Sequence, residues 1–255
     1  MKPKEFESLK EFIKEESTQR VFAKVFDERT IAAVHKLATK GLIEELEFVI
    51  STGKEAHVFR ARDRAGNFRA IKIYRITTSD FKNMSAYIQG DQRFKQVPRE
   101  KHELIFAWTK KEFKNLELAR NAGVRVPLPL GFEKNVLVME FIGVNGGSSN
   151  TMKEVEIKDL GKTYNTMIEW IARMYKAGLV HSDLSEYNVL VKESGGEQEL
   201  VLIDVGQAVL ASHPKAKEFF ERDIRNVINY FSKKGLKKSF EEAYEEVKKK
   251  VELIK

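Results

Sequence analysis

The chain has 255 residues, 33% of them charged, no cysteine and a formal net charge of +7. That length suffices for one enzyme-sized unit with a sizeable core, and the lack of cysteine excludes disulfides and thiolate metal sites. With no secretory leader pattern and no long apolar run, a soluble cytoplasmic protein without a membrane partner is expected. DNA is not expected as a partner either.

The elements begin with helices expected near 4–24 and 28–39, the second stopped by Gly41. Residues 47–61 read as strand, turn, strand, with Ser51, Thr52, Gly53, Lys54 and Glu55 forming the turn. Such a turn is compact enough to cover phosphates with backbone N–H groups, although a lone glycine serves equally well in any hairpin, where it supplies positive φ. In Ala70-Ile71-Lys72-Ile73-Tyr74 a lysine interrupts an apolar strand. Alternation puts Lys72 on the face opposite Ile71 and Ile73, facing either solvent or a cleft. A cleft-facing lysine would want a carboxylate to fix it. The amphipathic helix expected over 100–121 offers Glu112 as the chosen partner and Glu117 as the reserve.

Residues 77–99 between them show no clear period, and a connection of that length is expected to be functional or disordered. Its hydroxyls Thr77, Thr78, Ser79 and Ser85 are candidate phosphoacceptors, Ser85 preferred. An apolar strand over 135–142 then runs into the glycine-rich stretch 145–150. Helices are expected near 152–177, 214–232 and 239–253, with Pro214 in a first turn. Lys233, Lys234, Lys237 and Lys238, then Lys248, Lys249 and Lys250, give a basic C-terminal region. Because Glu241, Glu242, Glu245 and Glu246 alternate with them, these are read as solvated helix faces.

Two short stretches carry the chemistry: His181-Ser182-Asp183-Leu184-Ser185-Glu186-Tyr187-Asn188 and Leu202-Ile203-Asp204-Val205-Gly206. Their spacing resembles HxDLxxxN followed by a metal-binding aspartate, as protein kinases use it. Phosphoryl transfer needs a carboxylate to orient the attacking hydroxyl, a role that suits Asp183. Mg²⁺ takes hard oxygen ligands, one or two of them from protein, which suits Asn188 and Asp204. Lys72 stands where the kinase VAIK lysine reaches the α- and β-phosphates. At the kinase lobe crossing, Met139 would guard the back of the pocket, while the Glu140 carbonyl and Ile142 N–H would contact adenine.

With Ser51-Thr52-Gly53-Lys54-Glu55-Ala56 and Ile203-Asp204-Val205-Gly206-Gln207 added, the chain resembles the RIO family of atypical serine/threonine protein kinases. Its STGKEA loop is similar to that of the first RIO subgroup, which has no winged-helix domain. The resemblance implies an α+β, bilobal kinase-like fold: a helical extension at 1–45, a small antiparallel-sheet lobe at 46–142 and a mostly helical lobe at 143–255. It implies ATP and Mg²⁺, with Mn²⁺ as an alternative, and autophosphorylation. It also implies an ATPase cycle through Asp204, and work on a pre-40S or archaeal 30S ribosomal particle and its rRNA. The positive charge suits such an acidic partner. Departures are equally definite. Ser182 replaces the HRD arginine and cannot pair bidentately with a phosphate. The stretch from Gly206 to Pro214 leaves no room for a long activation segment. The competing readings are an aminoglycoside-type phosphotransferase and an inert nucleotide-binding scaffold.

Overall fold

The computed structural model describes residues 26–76, 81–94 and 96–254. The helix expected at 4–24, and the candidate acceptors Thr77, Thr78 and Ser79, lie outside them. Helix α1 (Glu28–Thr39) begins where the Asp27 side chain accepts from the Thr30 N–H at 2.8 Å, satisfying a donor that the first turn leaves open. It ends just before Gly41, whose φ of +76° costs glycine nothing.

The chain continues through β1 (Glu45–Thr52), β2 (Ala56–Arg62), β3 (Phe68–Tyr74), α2 (Phe81–Ile88), α3 (Lys101–Asn121), β4 (Pro129–Glu133) and β5 (Val136–Glu140). The five strands form one sheet in the order β1-β2-β3-β5-β4, every neighbouring pair antiparallel. Period-two alternation sends Phe59, Ala61, Ile71, Ile73, Val136 and Val138 to one core, which Ile31, Val34 and Leu37 of α1 complete. Each such buried aliphatic or aromatic side chain contributes about 1.5–3 kcal/mol. The segment expected as an extension thus contributes an apolar face to the core of the sheet. Lys72, out of phase with Ile71 and Ile73, leaves by the other face.

A connection without regular structure was the expectation for 77–99, and α2 corrects it. Met84 and Ile88, one helical turn apart, are each only 1% exposed. A single turn-spaced pair among polar residues is too short a pattern to register as a period.

The remaining elements are β6 (Gly143–Val144), β7 (Gly147–Ser148), β8 (Asn150–Thr151), α4 (Leu160–Lys176), β9 (Leu179–Val180), β10 (Val189–Ser194), β11 (Glu197–Leu202), β12 (Val209–Leu210), α5 (Ala216–Lys233) and α6 (Phe240–Leu253). Helix α4 starts eight residues later than expected. Thr151 gives both its N–H and its hydroxyl to Glu154, each at 2.8 Å, which closes a turn, and only Asp159 caps the helix. Pro214 stands ahead of the first turn of α5, which begins at Ala216. Ser239 and Glu242 form a reciprocal capping box at the start of α6. Among the described residues, three of the seven basic C-terminal side chains are paired: Lys238 with Glu246 at 2.8 Å, Lys248 with Glu245 at 3.0 Å and Lys250 with Glu169 at 2.9 Å. The described residues fall into two compact units, one from 26–76, 81–86, 96–113 and 128–141, the other from 87–94, 114–127 and 142–254. No helix among the described residues is long and apolar enough to cross a membrane.

Candidate active site

In the first unit, β3 delivers Lys72 to a position only 8% exposed, where its Nζ donates to Glu112 Oε1 at 2.8 Å. Glu112, on α3, is 1% exposed and accepts at its other oxygen from the Tyr74 hydroxyl. Tyr74 follows Lys72 by two residues and so shares its face, with its ring centroid 5.1 Å from the lysine Nζ. A buried cation needs an opposite charge and hydrogen bonds to offset lost hydration; Glu112 supplies the charge and one such bond, and the Tyr74 ring lies beside the ammonium. The chosen partner is therefore the one observed. Glu117, the reserve, pairs instead with Lys114 at 2.7 Å on an exposed face.

Ser51, Thr52, Gly53 and Lys54 are exposed at the β1–β2 turn, with Glu55 half-buried after them. Gly53 is not among the positive-φ residues, which corrects the reason given for it. Its N–H bonds the Ala56 carbonyl at 2.8 Å, and a Cβ there would lie 3.1 Å from that oxygen. Close backbone approach explains the glycine. At the end of β5, Met139 and Glu140 are half-buried, and the Glu140 N–H donates to the Leu128 carbonyl at 2.9 Å. Ile142 is buried and its carbonyl accepts from the Ser149 N–H at 3.0 Å.

The second unit gathers the remaining residues through two ladders. Strand β9 pairs with β12, and β10 pairs with β11 with Val189 opposite Leu202, so 181–188 and 203–208 emerge side by side. The Ile203 N–H closes the junction onto the Asn188 carbonyl at 2.9 Å. Asn188 Nδ2 donates to the Asp183 carbonyl at 2.8 Å and to Asp183 Oδ2 at 3.2 Å. With its nitrogen committed there, Asn188 presents Oδ1 as its other amide atom. Burial, and then the like charge of Asp204, raise the Asp183 pKa above the ordinary carboxylate value, against the Asn188 amide and the Arg222 guanidinium. Asp204 is exposed and holds φ +55°, a left-handed conformation uncommon outside glycine. The His181 ring, fully buried, receives the Asp183 N–H at Nδ1 (3.3 Å), which leaves Nε2 to donate toward the Ile203 carbonyl at 3.4 Å.

Three residues that sequence reasoning missed hold these loops. Asp223 on α5, 2% exposed, accepts from the Ser182 N–H at 2.8 Å and the Leu184 N–H at 2.9 Å, one bond per carboxylate oxygen. Burial pushes its pKa up to about 7, although both N–H bonds and Arg222 pull the other way. Arg222 donates through Nη2 to the Ser182 carbonyl. Ser182 itself sits at φ +67° and gives its hydroxyl to the Gln207 carbonyl at 2.8 Å. Where the HRD arginine is absent, the serine is thus a backbone clamp that ties one loop to the other. Asn115 on α3 donates to the Val205 and Ala208 carbonyls at 2.7 and 2.9 Å. In the first unit, the Tyr74 hydroxyl on Glu112 was missed as well. A charge on an apolar face marks Asp223 in the sequence: it falls in step with Phe220 and Val227.

The chain's similarities follow from these same elements. The family model described as RIO domain matches residues 57–244. The RIO-type serine/threonine-protein kinase Rio1 of Haloferax volcanii is 43% identical over 244 residues, covering 96% of this chain and 83% of that protein. Its namesake from Methanocaldococcus jannaschii is 38% identical, covering 86% and 74% respectively. The human serine/threonine-protein kinase RIO1 is 37% identical, but this chain spans only 39% of its length. Among solved structures, a Rio2 kinase–ADP/Mg²⁺–phosphoaspartate complex from Chaetomium thermophilum superposes with a TM-score of 0.68 at 22% identity, over 86% of this chain and 66% of that one. That likeness carries the fold, α+β and kinase-like, as expected. Matched over most of its length by model and relatives alike, the chain belongs to the RIO family of serine/threonine-protein kinases.

Proposed function

We propose that the chain is an ATP- and Mg²⁺-dependent serine/threonine protein kinase that also phosphorylates itself. The observation that carries this reading is the second unit's Asp183–Asn188 pair with the Asp204 carboxylate beside it. The donor set fits the metal: one exposed carboxylate and one amide oxygen are hard ligands, few enough to leave places for phosphate oxygens and water. Among the described residues no group of three or more His, Cys, Asp or Glu could hold a metal by itself, as befits an ion that arrives with nucleotide. When bound, Mg-ATP supplies the phosphoryl group and the cation that neutralises its charge.

The chain's own residues do the rest. Asp183 Oδ1 or Oδ2 accepts a hydrogen bond from the acceptor hydroxyl, orients it and takes its proton as the new bond forms. The burial that makes Asp183 a better proton acceptor also keeps bulk water from competing for it. Glu112 holds Lys72 extended so that its ammonium, a compact point charge, can meet phosphate. Backbone N–H groups at 51–55 other than that of Gly53, which bonds Ala56, cover phosphates, and Met139, Glu140 and Ile142 border the adenine. The net charge of +7 and the family resemblance support a small-subunit ribosomal particle, archaeal 30S or pre-40S, and its rRNA as partner in the cytoplasm. A second reading, hydrolysis through phosphate on Asp204, is favoured by the exposure of that carboxylate and by the phosphoaspartate named for the Rio2 complex.

Incubating pure protein with γ-labelled ATP and Mg²⁺, then separating phosphoprotein from free phosphate, tests this. Label stable on serine or threonine is expected. Acid-labile label confined to Asp204 would favour the hydrolytic reading, and no label in either product would defeat both.

A further inference from the structure

We infer that Tyr87 is a positioning residue for Asp183, acting through Phe219 and Arg222; the inference rests on the catalytic reading of Asp183. Its basis is a run of contacts inside the second unit. The Tyr87 ring stacks on Phe219 of α5 with centroids 5.5 Å apart and planes 29° from parallel. The Arg222 guanidinium lies 4.6 Å from the centroid of the same Phe219 ring, one helical turn on. That guanidinium donates to the Ser182 carbonyl, next to the peptide that leads into Asp183.

Three features make this run more than ordinary core packing. Arg222 Nε is buried without a hydrogen-bond partner among the described residues, so packing on the ring has to help fix the plane of the guanidinium. The group it holds is held against backbone preference, because Ser182 sits at φ +67° and each of its polar atoms is engaged: N–H by Asp223, hydroxyl by Gln207, carbonyl by Arg222. Tyr87 is in turn delivered by a seated turn. Gly90, at φ +88°, approaches Pro214 so closely that a Cβ would lie 3.0 Å from its Cδ. Asp91, nearly fully buried, locks the turn by a two-point pair with Arg93 at 2.9 and 2.6 Å. Loss of the Tyr87 ring would leave Phe219 free to turn and Arg222 free to leave the carbonyl. Ser182 could then relax toward ordinary φ and carry Asp183 with it. A misplacement of that kind lowers turnover without touching nucleotide affinity.

The test compares Tyr87→Ala, Tyr87→Leu and Tyr87→Phe by steady-state kinetics and by hydrogen exchange of the Ser182 and Leu184 amides. Alanine and leucine should each lower kcat about tenfold or more. The KM for ATP should stay within about twofold, and exchange at both amides should accelerate. Phenylalanine should restore both readouts, since the ring and not the hydroxyl makes the stack. Wild-type kcat and exchange in Tyr87→Ala would overturn the inference, as would exchange accelerated uniformly over the unit or a phenylalanine variant no better than alanine. If the wild-type protein transfers no phosphate at all, the kinase reading fails, and the exchange at Ser182 and Leu184 still decides whether Tyr87 holds the loop.

Discussion

Lys72 is a cation in a sheet, buried deeply enough that stranding it or its partner would cost about 3–5 kcal/mol. The protein keeps the charge because Glu112 supplies the opposite charge, with Tyr74 bonded to that same carboxylate, and under the proposed function this lysine meets phosphate. Removing the lysine and loosening its support should therefore differ in degree. Lys72→Ala should nearly abolish phosphoryl transfer, while Glu112→Gln, which keeps the cation and loses only the charge that aims it, should show a smaller defect in the same direction. Transfer assays at saturating nucleotide check this. A Glu112→Gln defect larger than that of Lys72→Ala would mean that the glutamate has a task of its own.

At the scale of elements, α5 is the support of the catalytic loop, and Asp223 is its main contact. The Asp223 pKa of about 7 lies above its ordinary 3.8, so between these values the folded chain holds a proton that the unfolded chain has released. Its contribution to stability is full below about pH 4 and is lost as pH rises through about 7. Denaturant unfolding across that window should show wild type losing more stability with rising pH than Asp223→Asn; parallel curves would contradict the assignment. Helix α2 bears on self-phosphorylation. Ser85 sits within it, half-buried, so the helix must open locally before that hydroxyl can reach an active site. Phosphopeptide mapping after incubation with Mg-ATP should find phosphate within 77–99, Ser85 first among its sites. Phosphate found only elsewhere would remove the segment from that role.

The same contrast explains what the sequence made legible. Asp183 and Asn188 are five residues apart, and Lys72 interrupts a strand, so local pattern exposes them. Asp223 meets Ser182 across 41 positions and Asn115 meets Val205 across 90, separations that only the packing of helices on the loops closes. The left-handed backbone of Ser182 and Asp204 was hidden as well, because these residues adopt it only when neighbouring groups enforce it. Gly53 was legible as a turn residue, yet its reason is a close carbonyl and not its φ.

At the scale of the whole molecule, each compact unit carries its own part of the proposed phosphoryl-transfer apparatus: a charge-paired lysine in one, and a carboxylate, amide and second carboxylate in the other. None of these groups is individually rare, and the account stands on Asp183 doing chemistry and not merely shaping a loop. Asp183→Asn preserves the size of the side chain and removes its capacity to take a proton. The decisive measurement is single-turnover transfer from γ-labelled Mg-ATP by wild type and Asp183→Asn, with nucleotide affinity measured alongside by calorimetry. The expected result is near-wild-type affinity with transfer slowed by about 10²–10⁴. Transfer at the wild-type rate in Asp183→Asn would contradict the account.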